Sequence, residues 1–197
     1  MLAMDLLLAE SGALHGHLCP GQILGVRMAM LGCRMVDIDE PTRTKELLVY
    51  VEIDRCVTDA IQAVTGCKLG KRTLKYLDYG KVAATFLNTT TGKAFRIVAR
   101  DDSRDKVWAY SEGETDKKVA QSLAYKVMPD DDLFNVMPVR IDLSPFDMPG
   151  HPLTRVSCVT CGEGVNDGRE VVQEGEVFCR PCALGAYYGP AELVAYG

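Results

Sequence analysis

Several features that would assign a function class are missing from this chain. Acidic side chains outnumber basic ones, 27 to 22, so the net charge of −5 gives no electrostatic reason to bind nucleic acid or an anionic membrane. No apolar run is long enough to cross a bilayer. The apolar N-terminal stretch carries an acid at Asp5 and no preceding basic residue, which is unlike a secretory signal. These absences predict a cytoplasmic protein.

Cysteine, in contrast, is abundant, with eight in 197 residues. In a reducing cytoplasm, cysteines bind metal or do chemistry instead of forming disulfides. Half of them follow the pattern Cys158-x₂-Cys161, seventeen residues, Cys179-x₂-Cys182. This spacing is a zinc signature, and four thiolates close the coordination shell, so the pattern predicts a structural zinc.

The segment around these four cysteines predicts a small finger domain. Gly162 follows the second ligand, Gly175 suits a hairpin, and a helix is expected from Ala183, an order that looks like a treble clef. About thirty residues bury too little surface to fold alone, so the metal must supply folding energy, on the order of 10 kcal/mol. Its charged residues are mainly acidic, which favours a protein or dimer contact over nucleic acid. These charged residues are Glu163, Asp167, Glu170, Glu174 and Glu176, against Arg169 and Arg180.

Periodicity predicts an α+β fold: a mixed α/β core domain followed by the small four-cysteine finger. The core is expected at residues 1–147, a linker at 148–157, and the finger at 158–197. The expected helices are 4–13, 22–35, a short one beginning at Thr58 or Asp59, and 115–128, with a further helical turn at 133–136. The expected strands are 46–53, 81–88 and 93–100, the last two as a hairpin, with an extended segment at 138–143.

An unusual motif lies near the N-terminus, where His15, His17 and Cys19 alternate. In an extended segment alternate side chains point the same way, so all three would face one ion. Cys19 also precedes Pro20, which suits the first turn of a helix, and a helix N-terminus favours a thiolate.

Two further cysteines stand in local sequences typical of sites. Cys56 follows a predicted strand, and Cys67 lies in a glycine-rich turn after a predicted helix. Histidine with cysteine is a zinc-type ligand set, and three ligands leave one position open. The alternative is that these cysteines are small core hydrophobes and the histidines cap a turn. The residues alone leave both interpretations open, whereas Cys33 falls in an apolar helical pattern and is expected in the core.

The turn at residues 65–73, TGCKLGKRT, is not a phosphate loop, because its glycine spacing is too short and Arg72 stands where a serine or threonine would bind magnesium. Its basic residues, Lys71 among them, are expected either to bind an anionic group and lower the pKa of Cys67, or to form a solvated basic turn.

HGHLCPGQILGVRM (15–28), the cysteine of DRC (Cys56) and TGCKLGK (65–71) together resemble the FmdE family, named for a component of formylmethanofuran dehydrogenases. The resemblance implies an α+β core that forms a homodimer. It also implies a pocket shared by His17, Cys19, Cys56 and Cys67, with His15 as an alternate ligand or as a residue that supports the ligands. Cys19, Cys56, Cys67 and Lys71 are then the expected catalytic residues, around a second zinc or an iron.

These observations support competing functions. The first is a metal-binding accessory subunit or small metalloenzyme of C1 or molybdopterin-linked redox metabolism, within a redox complex; an anionic substrate would be held by Lys71 or Arg27. The chain has no pterin or iron–sulfur spacing of its own, so it is not the catalytic subunit. The second is a non-catalytic zinc regulator or assembly factor that contacts a protein through the finger. The third is a thiol switch that pairs Cys19 with Cys56 or Cys67.

Overall fold

A computed structural model describes residues 1–189 and divides the chain into two compact units, Met1–Asp142 and Leu143–Gly197. The expected linker at 148–157 groups with the second unit, and its last three residues form a strand. The end of the expected finger domain, residues 190–197, lies outside the described residues.

The first unit is a five-stranded mixed sheet with helices, which confirms the α+β prediction. The strands lie in the order β2-β1-β3-β4-β5, with β1 and β2 parallel and the other neighbours antiparallel. The helices are α1 (Met4–His15), α2 (Pro20–Met35), α3 (Cys56–Thr65), α4 (Ser103–Lys106), α5 (Lys117–Val127) and α6 (Asp130–Leu133). The strands are β1 (Leu47–Val51), β2 (Leu74–Tyr76), β3 (Ala83–Asn88), β4 (Ala94–Ala99) and β5 (Phe134–Pro138). Short 3₁₀ helices cover Leu69–Lys71 and Val107–Tyr110.

The second unit consists of two small hairpins and a short helix. β6 (Arg155–Ser157) pairs with β7 (Gly164–Asn166), and β8 (Val171–Gln173) pairs with β9 (Glu176–Phe178). A 3₁₀ helix covers Pro145–Asp147, and α7 covers Arg180–Leu184. The predicted hairpin around Gly175 is therefore present, and the helix begins three residues earlier than expected.

The core of the first unit is organised around α2, whose residues from Gln22 to Cys33 are mostly buried. Such a helix packs on several sides, and α2 contacts α3, α5 and the sheet strands β3 and β4. Its glycines permit close approach: a Cβ atom at Gly25 would lie 2.6 Å from the Ala60 Cβ and 2.7 Å from the Val57 carbonyl oxygen on α3. Cys33 is fully buried in this core, as predicted.

Tertiary packing overrides two of the sequence predictions. The four-residue repeat Val119, Leu123, Val127 marks the exposed face of α5, while Ala120 and Ala124 are buried where α5 meets α2, because small side chains allow the closer approach. The helical turn expected at 133–136 is wrong: Leu133 ends α6, and the following residues join β5, where backbone pairing with β4 stabilises an extended chain. The short strand β2 has no clear sequence signal.

The Gly25 contact gives a test of the helix packing. We expect Gly25→Ala to lower the free energy of unfolding by about 1–3 kcal/mol, because the added methyl meets the backbone of Val57, which cannot rotate away. Gly70→Ala is the matched control, since no atom lies within 4 Å of its added Cβ. Chemical denaturation followed by circular dichroism measures both, and equal stability of the two variants would contradict the packing.

Candidate metal centres

The second unit brings together the four cysteines that the sequence assigns to zinc. The Sγ atoms of Cys158, Cys161, Cys179 and Cys182 lie within 4.8 Å of one another, and Cys161 Sγ is 3.8 Å from Cys179 Sγ. Ligands of a tetrahedral zinc at about 2.3 Å would lie roughly 3.8 Å apart, so the group is close to the geometry of a bound ion.

Local backbone structure places each finger ligand. Gly162 has φ 72° and donates its N–H to the Cys158 carbonyl over 2.9 Å, which forms the tight turn between the first two cysteines. The Val159 N–H donates to the Val177 carbonyl on β9 over 2.9 Å and so holds this turn against the second hairpin. Cys179 is the N-cap of α7, and Cys182 lies in its first turn.

The finger thiols do not titrate alike in the absence of metal. Hydrogen bonds from the backbone groups of Cys161 and Cys179 lower the pKa of Cys158 to about 6. The neighbouring Cys179 thiol raises the pKa of Cys182 to about 12. Four thiolates this close repel one another, so a divalent cation is what allows all of them to be deprotonated together.

In the first unit, a glycine turn brings the two motif histidines together. His15 is the last residue of α1, and Gly16 ends that helix with φ 91° in the left-handed region. The chain reverses there, so the His15 and His17 rings lie with centroids 4.9 Å apart. The segment is therefore not extended as the alternation suggested, and a helix C-cap brings the two rings together instead.

Two cysteines meet beside the histidines at the N-termini of α2 and α3. Cys19 is the N-cap of α2, and Cys56 is the first residue of α3. A Cβ atom at Gly21 would lie 3.1 Å from the Cys56 Cβ and 3.7 Å from the sulfur atoms of both Cys19 and Cys56. The glycine of the motif thus leaves room for the two thiols to come together.

Electrostatics at this pair is balanced between opposing effects. Burial raises the pKa of Cys56, and the adjacent Cys19 thiol raises it further. The positive ends of two helix dipoles act in the opposite direction and favour thiolates. Cys56 is thus protonated at neutral pH without a cation, and a bound cation would displace its proton.

Two polar residues that the sequence analysis missed support the motif. Asp59 Oδ2 accepts a hydrogen bond from His15 Nδ1 over 2.8 Å, which leaves Nε2 as the ring nitrogen free to bind a ligand. Gln22 is fully buried, accepts from the Ser11 hydroxyl, and donates to the Cys56 carbonyl over 2.6 Å. Asp59 was identifiable, since it follows Cys56 by three residues and so lies on the same face of a helix. Gln22 carried no such signal.

The donor atoms of His15, His17 and Cys19 lie within 4.8 Å of one another. Zinc–nitrogen and zinc–sulfur bonds of about 2.0 and 2.3 Å place neighbouring ligand atoms roughly 3.5 Å apart, so small side-chain rotations would close the group on an ion. Cys19 is buried and His17 is exposed, so the group opens to solvent on one side. The donors fit zinc, and the open side fits a ligand position not filled by protein.

The remaining expected site residues lie elsewhere. Cys67 is not in the donor group; it is buried near Cys33, with its Sγ 3.7 Å from the Leu47 carbonyl oxygen. Burial raises the pKa of Cys67 and outweighs the opposing effects of Thr65, Thr73 and Lys71. Lys71 is exposed at the end of a 3₁₀ helix.

Arg27 has a structural role in place of the expected contact with an anionic substrate. It donates to the Tyr125 and Met128 carbonyls over 2.9 and 2.8 Å, and to Asp130 Oδ1 over 2.7 Å. Its guanidinium therefore caps the C-terminal end of α5.

Comparison with known families identifies both parts of the chain. Residues 14–135 match the family described as FmdE, molybdenum formylmethanofuran dehydrogenase operon. The chain belongs to the FmdE family. Residues 152–188 match the prokaryotic dksA/traR C4-type zinc finger, in agreement with the four clustered cysteines. The chain is thus an FmdE-like protein with a C-terminal C4 zinc finger.

Two individual proteins are similar to this chain. A probable S-adenosyl-L-methionine-binding protein of Archaeoglobus fulgidus is 34% identical over 116 residues, which are 57% of this chain and 32% of that protein. The chain therefore spans about a third of the length of this relative. The crystal structure of an FmdE-like protein of the tungsten formylmethanofuran dehydrogenase type, from Syntrophus aciditrophicus, matches with a TM-score of 0.60, 20% identity and 95% coverage of both chains, which shows a shared fold. In the described part of the chain, no helix is long and apolar enough to span a membrane.

The finger should lose its zinc when one ligand is removed. We expect Cys182→Ser to lower the zinc content by one per chain and to make residues 152–188 sensitive to protease, because the metal supplies most of the folding energy of so small a module. Elemental analysis and limited proteolysis measure the two effects. Cys33→Ala, in the core of the other unit, is the control and should leave the finger resistant; unchanged zinc in Cys182→Ser would contradict the four-ligand site.

Proposed function

We propose that the FmdE-like unit carries a second metal centre, formed by His15, His17, Cys19 and Cys56. We further propose that this centre makes the protein a metal-binding accessory subunit or small metalloenzyme of C1 or molybdopterin-linked redox metabolism. The observation that supports it best is the convergence of imidazole and thiol donors from three helix ends on one solvent-accessible point. The finger zinc is structural in this proposal, and the chemistry belongs to the first unit.

The roles of the individual residues follow from their contacts. His15 and His17 would bind through neutral imidazole nitrogens, and Cys19 and Cys56 through thiolates that the helix N-termini favour. Asp59 accepts the Nδ1 proton of His15 and so fixes its tautomer and ring orientation, as carboxylates do behind ligand histidines. Gln22 holds the backbone of Cys56 in position.

A bound zinc would supply Lewis-acid polarisation of a substrate oxygen or a deprotonated water. The chain itself determines access and proton handling. Exposed His17 lies on the open side, while buried Cys19 lies on the closed side. Beside the open side, His15 and Asp59 hold a proton between an imidazole nitrogen and a carboxylate oxygen that are 2.8 Å apart.

The link to redox metabolism is drawn from the family description, which names a molybdenum formylmethanofuran dehydrogenase operon. The homodimer and the contact with a redox partner remain proposals of the same kind. S-adenosyl-L-methionine binding is not carried over, because this chain covers 32% of the relative that bears that name.

A second candidate function is a non-catalytic regulator or assembly factor that binds a protein through the finger. Exposed apolar side chains in the second unit favour it, since such groups are characteristic of interaction surfaces. They are Val159, Val172, Leu184 and Tyr187, which are 56, 63, 71 and 99% exposed. The thiol switch is also compatible with the geometry, because Cys19 and Cys56 are neighbours, while Cys67 lies apart.

Metal content distinguishes these functions. We expect about two metal ions per chain in the wild type and about one in Cys19→Ala/Cys56→Ala, because the double variant removes both thiolates of the core site and none of the finger. Elemental analysis of protein purified without added metal measures this.

The control is Cys33→Ala, a buried cysteine outside both groups, which should keep both ions. One zinc in the wild type that persists in the double variant would contradict the core metal centre and favour the thiol switch or the regulator.

The hydrogen bond between Asp59 and His15 gives an independent test. We expect Asp59→Asn to weaken core metal binding by about 10- to 100-fold while the finger keeps its zinc, because His15 loses the partner that orients it. Competition with a chromophoric chelator measures the affinity. Asp105→Asn, an exposed aspartate on α4, is the matched control, and equal affinities in the two variants would contradict the role of Asp59.

A further inference from the structure

A cationic cavity lies in the first unit, against the sheet. Its volume is about 450 Å³, within the range of small-molecule sites. Four of its lining residues are cationic, Lys81, Arg96, Arg100 and Arg104, and within the described part of the chain Asp101 is the one carboxylate that lines it. This concentration of positive charge is unexpected in a chain whose net charge is −5.

Arg96 is fixed in place with part of its guanidinium unused. Its Nε and Nη2 atoms donate to the two carboxylate oxygens of Glu52, each over 2.7 Å, and Glu52 is 5% exposed. Within residues 1–189, Nη1 of Arg96 makes no hydrogen bond. A guanidinium held rigidly by a buried carboxylate presents its remaining N–H donors at low entropic cost, which suits recognition of an oxyanion.

The other cationic residues differ in how far they are neutralised. Arg100 donates to Asp102 over 2.9 and 2.8 Å, which restrains its side chain. Lys81 and Arg104 are exposed and form no ion pair with any residue that the structure describes. The cavity therefore combines one rigid donor with two uncompensated charges.

The cavity walls also contain apolar surface and the hydroxyl of a buried tyrosine. Leu24, Val82 and Val98 line it together with Tyr125, which is 4% exposed. Among the described residues, the Tyr125 hydroxyl has no hydrogen-bond partner, whereas the polar groups of buried residues are normally paired. A ligand with an apolar part and a hydrogen-bonding anionic group would satisfy both kinds of wall.

We propose that this cavity binds a small organic anion, a carboxylate or a phosphate monoester, through Arg96, Lys81, Arg104 and the Tyr125 hydroxyl. The proposal goes beyond the metal centre and does not rest on it. The two sites nevertheless share elements: Leu24 lies on α2, which Cys19 caps, and Glu52 precedes Cys56 by four residues. The cavity is thus placed to hold a ligand in the same part of the fold.

Calorimetric titration with phenyl phosphate, benzoate and inorganic phosphate tests the proposal. We expect phenyl phosphate or benzoate to bind wild-type protein, and inorganic phosphate to bind more weakly because it makes no use of the apolar walls. The stronger of the two aromatic probes identifies the anionic group. No binding of either at concentrations up to about 10 mM would overturn the proposal. Equal binding of inorganic phosphate would overturn the organic part of it.

Two charge-matched double variants test the location. Lys81→Gln/Arg104→Gln should weaken binding of the probe by about tenfold or more, whereas Lys117→Gln/Lys118→Gln, which removes two exposed cations of α5 outside the cavity, should stay within about twofold. Equal weakening in both would show general electrostatic attraction and overturn the site.

Two further variants keep the result independent of folding and of the metal centre. Tyr125→Phe removes one hydroxyl and keeps the packing, and we expect about a threefold or larger loss of affinity from the missing hydrogen bond. An unchanged affinity would overturn the role of Tyr125. Cys19→Ala/Cys56→Ala should bind the probe as the wild type does, so failure of the metal proposal would not be mistaken for failure of this one.

Discussion

The close contact between α2 and α3 is the constraint on which the first unit depends. It exists because α2 carries glycine at Gly21 and Gly25, where any side chain would meet Cys56, Val57 or Ala60. The same contact that packs the core brings the N-terminal ends of two helices together. Core packing and the candidate metal centre are therefore one structural feature, and a change that separates the helices would alter both.

This arrangement concentrates positive potential at particular points of an acidic protein. Two helix N-termini favour the thiolates of Cys19 and Cys56, although burial and mutual repulsion oppose their ionisation. A cation resolves that conflict. In the cavity, Arg96 and Arg100 are held by buried or neighbouring carboxylates, and the remaining charge on Lys81 and Arg104 would be compensated by an anion.

The two cysteine groups reach their geometry by different routes. In the finger, all four ligands lie within 25 residues and are placed by tight turns and a short helix, so local sequence specifies the site. In the first unit the donors come from the ends of α1, α2 and α3, and their meeting requires the folded core. A metal would add to folding in the first case and would bind a largely preformed group in the second.

The sequence by itself determined the zinc finger, the α+β class, most helices and strands, and the importance of His15, His17 and Cys19, because these depend on short spacings and local periodicity. Tertiary structure decided which cysteine joins the motif. Cys56 follows β1 and begins α3, so it meets Cys19, whereas Cys67 follows the C-terminal end of α3 and is buried beside Cys33.

Tertiary structure also decided which face of α5 is buried and which residues support the donors. The four-residue repeat of Val119, Leu123 and Val127 was a correct helix signal, but it could not show that Ala120 and Ala124 would face α2. Asp59 is 44 residues from His15, and Glu52 is 44 residues from Arg96. Such pairings are fixed by the crossing of helices and the register of strands, which no local pattern encodes.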